Sequence, residues 1–225
     1  MPVPRLELRA VSKTYGNGGQ PTEVLHGISL LPEPGTITAL VGRSGCGKTT
    51  LLHLAGAMDF PTAGEVLIDG RATGLLSDSE LTALRRTRIG FVFQFFQLLP
   101  TLTALENVEL PLLLARTPGA NAMARDRLRW VGLEEKSGSL PYQLSGGQMQ
   151  RVAIARALVH TPDILIADEP TGNLDTASGD QVLALLREAA AKFGATVLLA
   201  THSAEAAAIA DRRVHLRDGR VHGIS

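Results

Sequence analysis

Leu6, Leu8 and Ala10 alternate with Glu7, Arg9 and Val11, the period-two pattern of a half-buried strand. A loop rich in Gly, Asn and Pro is expected at 16–21, and a second strand at 24–30. Residues 36–41 form a β-rich apolar run between Gly35 and Gly42, which predicts a buried strand feeding a glycine-rich loop. Helical character follows at 49–57. Residues 65–68, closed by Asp69-Gly70, predict a hairpin strand. Next come a helix at 79–88, with Leu81, Leu84 and Arg85 at helical spacing, and a short strand at 89–93. The stretch 95–149 reads as mostly helical, punctuated by Pro100, Pro111, Pro118 and Pro141. A helix at 151–159, a buried strand at 164–167, an amphipathic helix at 181–191 and a third buried strand at 197–200 follow. The last element is a hairpin at 214–221 that turns at Asp218-Gly219.

Strands alternating with helices predict an α/β layer with a parallel sheet. The first strands read as antiparallel, and the middle helical stretch reads as an insertion. A chain of 225 residues buries roughly 70% of its unfolded surface and needs no disulfide or metal staple. Cys46 is the only cysteine, so an intrachain disulfide is impossible and a cysteine-based zinc site is not expected. Twenty-two Lys and Arg balance twenty-two Asp and Glu, which gives no global field to attract nucleic acid or anionic lipid. Two arginine runs, at Arg85, Arg86 and Arg88 and at Arg125, Arg127 and Arg129, read as solvated helix faces. The amino terminus lacks the apolar stretch of a signal peptide, and no apolar run approaches the ~18 residues of a membrane span. The expected location is the cytoplasm, with attachment to a membrane only through another chain.

Gly42-Arg43-Ser44-Gly45-Cys46-Gly47-Lys48-Thr49 fits the pattern G-x-x-x-x-G-K-[ST] between a strand and a helix. Glycines let the backbone wrap so that several N–H groups point at phosphate oxygens, and the following helix adds its positive dipole end. Lys48 would bring a mobile cation to the β- and γ-phosphates, and the Thr49 hydroxyl would reach Mg²⁺. Cys46 reads as a small residue that fits the loop. The sharper alternative is a reactive thiol at a helix amino terminus, whose alkylation would block nucleotide binding.

The apolar strand at 164–167 ends in Asp168-Glu169. A carboxylate at the carboxyl end of a buried strand stands where α/β sheets hold ligands. Asp168 would hold Mg²⁺ and Glu169 would polarise an attacking water, a contribution of about 10²–10⁴-fold. A second glycine corner, Leu144-Ser145-Gly146-Gly147-Gln148, opens a helix and offers another anion-binding site about 100 residues from the first.

These residues together resemble the nucleotide-binding subunit of ATP-binding cassette (ABC) proteins, over almost the whole chain. The resemblance implies one domain, 1–225: a P-loop NTPase with a RecA-like core, an antiparallel β subdomain and a helical signature subdomain inserted at about 95–158. It implies a head-to-tail pair of copies with ATP and Mg²⁺ between one chain's phosphate loop, Gly42 to Thr50, and the other's signature, Ser145, Gly146, Gly147 and Gln148. It assigns Tyr15 to the adenine, Gln94 to Mg²⁺ and water, Asn173-Leu174-Asp175 to the dimer interface, and His202 to the γ-phosphate. Met149 departs from the polar residue commoner after the signature. With Lys48, Gln94, Glu169 and His202 in place, an active ATPase is expected.

The string from Phe91 through Pro100, with Leu102-Thr103-Ala104, Glu106-Asn107-Val108 and Pro170 to Asp175, resembles the branch of lipoprotein-releasing, macrolide-export and cell-division ATPases. The expected function is to power a membrane permease on a separate polypeptide. The alternative is a cell-envelope regulator that transmits force without moving cargo. Cassettes of DNA repair or translation, with long insertions or two fused copies, fit less well, and no nucleic-acid partner is expected. Phe95, Phe96, Leu98 and Leu99 form an apolar cluster beside Gln94 that is either helical core or a groove for a permease helix.

Overall fold

The structure is a computed structural model that describes residues 3–16 and 20–225. The loop expected at 16–21 therefore falls partly outside the described residues. Among the described residues, ten strands build two sheets. β1 (Leu6–Tyr15), β2 (Thr22–Leu30), β4 (Ala63–Ile68) and β5 (Arg71–Ala72) form an antiparallel sheet in the order β2-β1-β4-β5. The second sheet adds β3 (Ile37–Val41), β6 (Ile89–Val92), β7 (Ile164–Asp168), β8 (Thr196–Thr201), β9 (Arg212–Arg217) and β10 (Arg220–Ile224) in the order β10-β9-β3-β8-β7-β6. All its pairings are parallel except β9 with β10.

The alternation expected of the first strand breaks at Ala10. That residue is exposed, with φ +46°, and the register slips on both sides of β1, so Val11 and not Ala10 faces the core. The cause is a β-bulge. Gly64 lies opposite on β4, where a Cβ would fall onto the Arg9 and Ala10 carbonyls, so a side chain there would prevent the bulge from closing.

Helix α1 (Lys48–Ala55) lies between the two sheets. Its Leu51, Leu52 and Leu54 are fully buried with Leu25, Leu40, Ile166 and Leu198. Each such leucine stabilises the fold by about 1.5–3 kcal/mol. Burial on this scale anchors the helix that follows the glycine loop between both sheets. On the other face of the parallel sheet, α5 (Gly146–Leu158) and α6 (Thr176–Phe193) bury Ile154, Leu158, Val182 and Leu186 against Val197 and Leu199. A third cluster joins α3 (Ala104–Leu114), α4 (Ala120–Trp130) and α5 through Val108, Leu112, Leu128 and Val152. Thus α5 belongs both to the sheet's core and to the helical region inserted between β6 and β7. Among the described residues, the remaining α-helices are α2 (Asp78–Arg88), close to the helix expected at 79–88, and the short α7 (Ala204–Ala208), which the periodicity did not predict.

The middle of the chain is less helical than its pattern suggests. Residues 95–103 contain no helix, because Phe96 and Gln97 sit at φ +57° and +52°. Arg156 fixes this segment by donating to the Phe96 and Gln97 carbonyls at 3.0 and 2.6 Å. The buried Asn107 side chain fixes its far end with four hydrogen bonds, to the Leu99 amide and to the Leu99, Leu102 and Thr103 carbonyls. Residues 131–145 carry only two short 3₁₀ turns, Glu134–Lys136 and Pro141–Gln143. Helix α5 starts at Gly146 rather than 151, because Ser145 caps it in a reciprocal pair with Gln148. Likewise α6 starts at Thr176 rather than 181, capped by Asp175.

Candidate active site

The parallel strands β3, β6, β7 and β8 deliver their carboxyl ends to one edge, where an open α/β sheet binds ligands. From β3 comes the glycine loop. Gly45 and Gly47 take φ of +78° and +102°, a conformation that favours glycine. A Cβ at Gly42 would strike the Leu216 carbonyl and the Cys46 sulfur. Lys48 is buried, and its Nζ donates to the Gly42 and Arg43 carbonyls at 2.8 and 3.2 Å. The ammonium is therefore folded over the loop's own oxygens. The Cys46 side chain packs among the leucines of the main core, only 7% exposed. Its place agrees with a packing role and gives no support to an exposed reactive thiol.

Asp168 ends β7. Burial pushes its carboxyl above the usual value, the charge of Glu169 adds to this, and the neighbouring Thr49 side chain and Lys48 oppose it. One carboxylate oxygen, Oδ1, is buried without a hydrogen-bond partner. Glu169 follows at φ +45°, a strained position for a residue with a side chain. Its amide donates to the Ala200 carbonyl at 2.9 Å, which ties the turn to β8. Its carboxylate is held by Thr201 Oγ1 at 3.3 Å, the His202 amide at 3.4 Å and His202 Nδ1 at 2.8 Å. The carboxylate is largely covered and the imidazole largely exposed.

Gln94 follows β6. Its amide donates to Asn173 Oδ1 at 3.3 Å, and Asn173 Nδ2 returns a bond to the Gln94 carbonyl at 3.2 Å. Lys48, Thr49, Thr50, Gln94, Asp168, Glu169 and His202 line one cavity of about 700 Å³ together with Arg43, Ser44, Gly45 and Gly47. Residues from four separate parts of the chain thus converge, as the sequence anticipated.

Three expected groups lie elsewhere. Tyr15, at the end of β1, is half-exposed and not part of the cavity wall. Its hydroxyl donates to Asp59 Oδ2 at 2.9 Å, and Lys13 Nζ lies 4.8 Å from its ring centre while bonding Asp59 Oδ1 at 2.7 Å. Burial and the Asp59 contact raise the phenol's pKa. Ser145 caps α5, Gly146, Gly147 and Gln148 form its first turn, and none of the four lines that cavity. Asp175 spends its carboxylate on α6, accepting from the Ser178 amide and hydroxyl at 3.0 and 2.8 Å. Neither Lys13 nor Asp59 was foreseen, since contacts made across 46 residues leave no local pattern.

A family model described as "ABC transporter" matches residues 25–172, more than half of the chain. The chain belongs to this family. Among relatives of the cassette, the lipoprotein-releasing system ATP-binding protein LolD of Anaeromyxobacter dehalogenans is 50% identical over 222 residues, 97% of this chain and 93% of that protein. The macrolide export ATP-binding/permease protein MacB of Nitrosomonas europaea is 49% identical over 221 residues, 97% of this chain but 33% of that protein. The chain therefore spans a third of such relatives and nine tenths of the LolD type. Among solved structures, the dimeric post-hydrolysis state of the ATP-binding cassette MJ0796, bound to ADP and Pi, superposes with a TM-score of 0.90 at 42% identity, covering 98% of this chain and 97% of that one. Within the cassette, the α/β core, the antiparallel sheet and the intervening helices correspond to the fold expected from sequence.

Proposed function

We propose that this cassette binds ATP with Mg²⁺ between two copies of itself and hydrolyses it to drive a membrane permease that releases or exports lipoproteins, peptides or drugs. The observation that carries this reading is the single cavity in which a phosphate loop, an acid pair, a glutamine and a histidine meet. Of these, Lys48 and the loop amides bind the phosphates. Asp168, Thr49 and Gln94 would hold the metal: Asp168 Oδ1 is a buried carboxyl oxygen without a hydrogen-bond partner, which suits a cation. Among the described residues, no cluster of three His, Cys, Asp or Glu forms a metal cage. Such a set fits Mg²⁺, which takes one or two protein oxygens and completes its shell with water and phosphate. When bound, the ion neutralises charge developing on the transferring phosphoryl group.

Glu169 then orients and polarises the water, and Thr201 and His202 hold its carboxylate in place. Once nucleotide is present, His202 engages the γ-phosphate and Tyr15 stacks on the adenine. The signature does not line its own chain's cavity, which supports its serving the nucleotide of a second copy in a two-fold pair with two equivalent sites. The dimeric cassette MJ0796, similar over nearly its whole length, supports this arrangement.

The relatives above are named for lipoprotein release and macrolide export, which favours transport over a regulatory role without cargo. Among the described residues, no helix is long and apolar enough to cross a membrane. The cassette is therefore read as docking on a permease at the cytoplasmic face. Phe95 and Leu99, 69% and 44% exposed beside Gln94, offer the apolar surface for this. Phe96 is instead partly covered and lies near Gly146. Affinity purification from detergent-solubilised membranes, with mass spectrometry, tests the reading. A stoichiometric integral membrane partner is expected. Association with ribosomes or DNA instead would refute it.

A further inference from the structure

Helix α5 carries one polar side chain that is wholly inside the protein, Gln150. Its Nε2 donates to the Pro170 carbonyl at 2.8 Å and to the Phe93 carbonyl at 3.2 Å. Both partners are carbonyls, which only accept, so the amide orientation is fixed by chemistry. Pro170 directly follows Glu169, and Phe93 directly precedes Gln94. A single amide thus grips the backbone beside both groups that flank the attacked phosphate in the proposed reaction. The same helix begins at Gly146, inside the signature, little more than one turn away.

The grip has a cost. The other end of the amide, Oε1, is buried with no partner. A side chain present only to fill this space would be better apolar, since an orphaned buried acceptor is unfavourable. Glu169 also needs outside support, because φ +45° persists only where neighbours over-determine it. The Ala200 contact constrains its amide side, and Gln150 constrains the residue after it.

We propose that Gln150 is a positioning residue for ATP hydrolysis, which locks the backbones at Phe93 and Pro170 so that Gln94 and Glu169 keep their places. Through it, the signature end of α5 and the acid pair of the same chain form one hydrogen-bonded unit. The proposal rests on the hydrolytic reading above and adds a residue to it that touches neither nucleotide nor metal.

The test compares wild type with Gln150→Met, which keeps the volume, removes both donors and also removes the orphaned oxygen. Steady-state phosphate release gives kcat and KM, binding of a fluorescent ATP analogue gives affinity, and thermal unfolding reports folding. The expected result is a kcat lower by about ten- to a hundredfold. KM and analogue affinity should stay within about threefold of wild type, since nucleotide binding is separate from positioning. Gln150→Leu serves as the second variant: it too lacks both donors and the orphaned oxygen in a branched side chain, so the same loss of kcat is expected. An unchanged kcat in a folded variant would overturn the proposal. So would a loss that merely tracks the folded fraction, or failure of both variants to fold. Wild-type protein that binds ATP but releases no phosphate would instead overturn the hydrolytic reading beneath it.

Discussion

The two adjacent glycines of the signature have different reasons to be glycine, and two alanine variants separate them. At Gly147, buried in the first turn of α5, an added Cβ would sit 2.5 Å from Ser178 Oγ and 2.6 Å from Ser178 Cβ. Ser178 has little room to yield, because its hydroxyl is bonded to Asp175 at 2.8 Å as part of the α6 cap. Overpacking of this kind costs about 1–3 kcal/mol. Losing the cap as well would add about 1 kcal/mol. For a domain of this size each kcal/mol lowers the melting temperature by about 2–4 °C. Gly147→Ala should therefore melt several degrees early. At Gly146 the nearest atom to an added Cβ is Leu174 Cδ2 at 3.6 Å, an ordinary contact. Alanine there is tolerated, and helix propensity favours it by at most about 1 kcal/mol. Gly146→Ala should melt at or slightly above the wild-type temperature. In the proposed pair of copies, however, this glycine belongs to the corner that receives the second copy's nucleotide, so ATPase activity should drop by about tenfold or more. Differential scanning calorimetry and phosphate release measure the two effects. If Gly146→Ala destabilises as much as Gly147→Ala, or keeps full activity, the separation of packing from function is refuted.

Three further outcomes are expected. Tyr15→Ala should weaken ATP binding by the worth of one base stack, about 1–3 kcal/mol, whereas Tyr15→Phe should bind nearly normally, as read by equilibrium titration. Because burial raises the Asp168 pKa above 3.8, its folded state holds a proton to higher pH than an ordinary aspartate. Stability is therefore lost as pH rises through that window, and Mg²⁺-dependent activity is lost as pH falls through it. Asp168→Asn should consequently melt higher at neutral pH while losing about a hundredfold or more in hydrolysis. Phe95→Asp, at an exposed site, should leave folding and basal ATPase intact within about a factor of two and abolish co-purification of the membrane partner.

The glycine loop, the acid pair and the strand ends were legible because their signals are local. Apolar runs of four to six residues fix β3, β7 and β8, and parallel pairing then brings Lys48, Asp168, Glu169 and His202 together without further information. The segment 95–103 misled because its apolar residues suggest a helix. Its path is set by the left-handed Phe96 and Gln97 and by distant partners, Arg156 and Asn107. Gln150 was equally hidden, since a polar residue on a helix normally marks the solvent side. Only the packing of α5 across both cores turns it inward. The early starts of α5 and α6 were missed because cap residues such as Ser145 and Asp175 lead into glycine or polar first turns with little periodicity.

In the proposed pair of copies, each chain supplies a phosphate loop and an acid pair to its own nucleotide, and a signature to that of the other. Glu169→Gln removes the carboxylate proposed to polarise the water and leaves every proposed binding group in place. Sedimentation velocity of this variant, with and without ATP and Mg²⁺, shows whether ATP bridges two copies. A shift from monomer to dimer that persists because hydrolysis is blocked, with two ATP bound per dimer, is the predicted result. A variant that turns over ATP at the wild-type rate, or that binds ATP fully and stays monomeric, would contradict it.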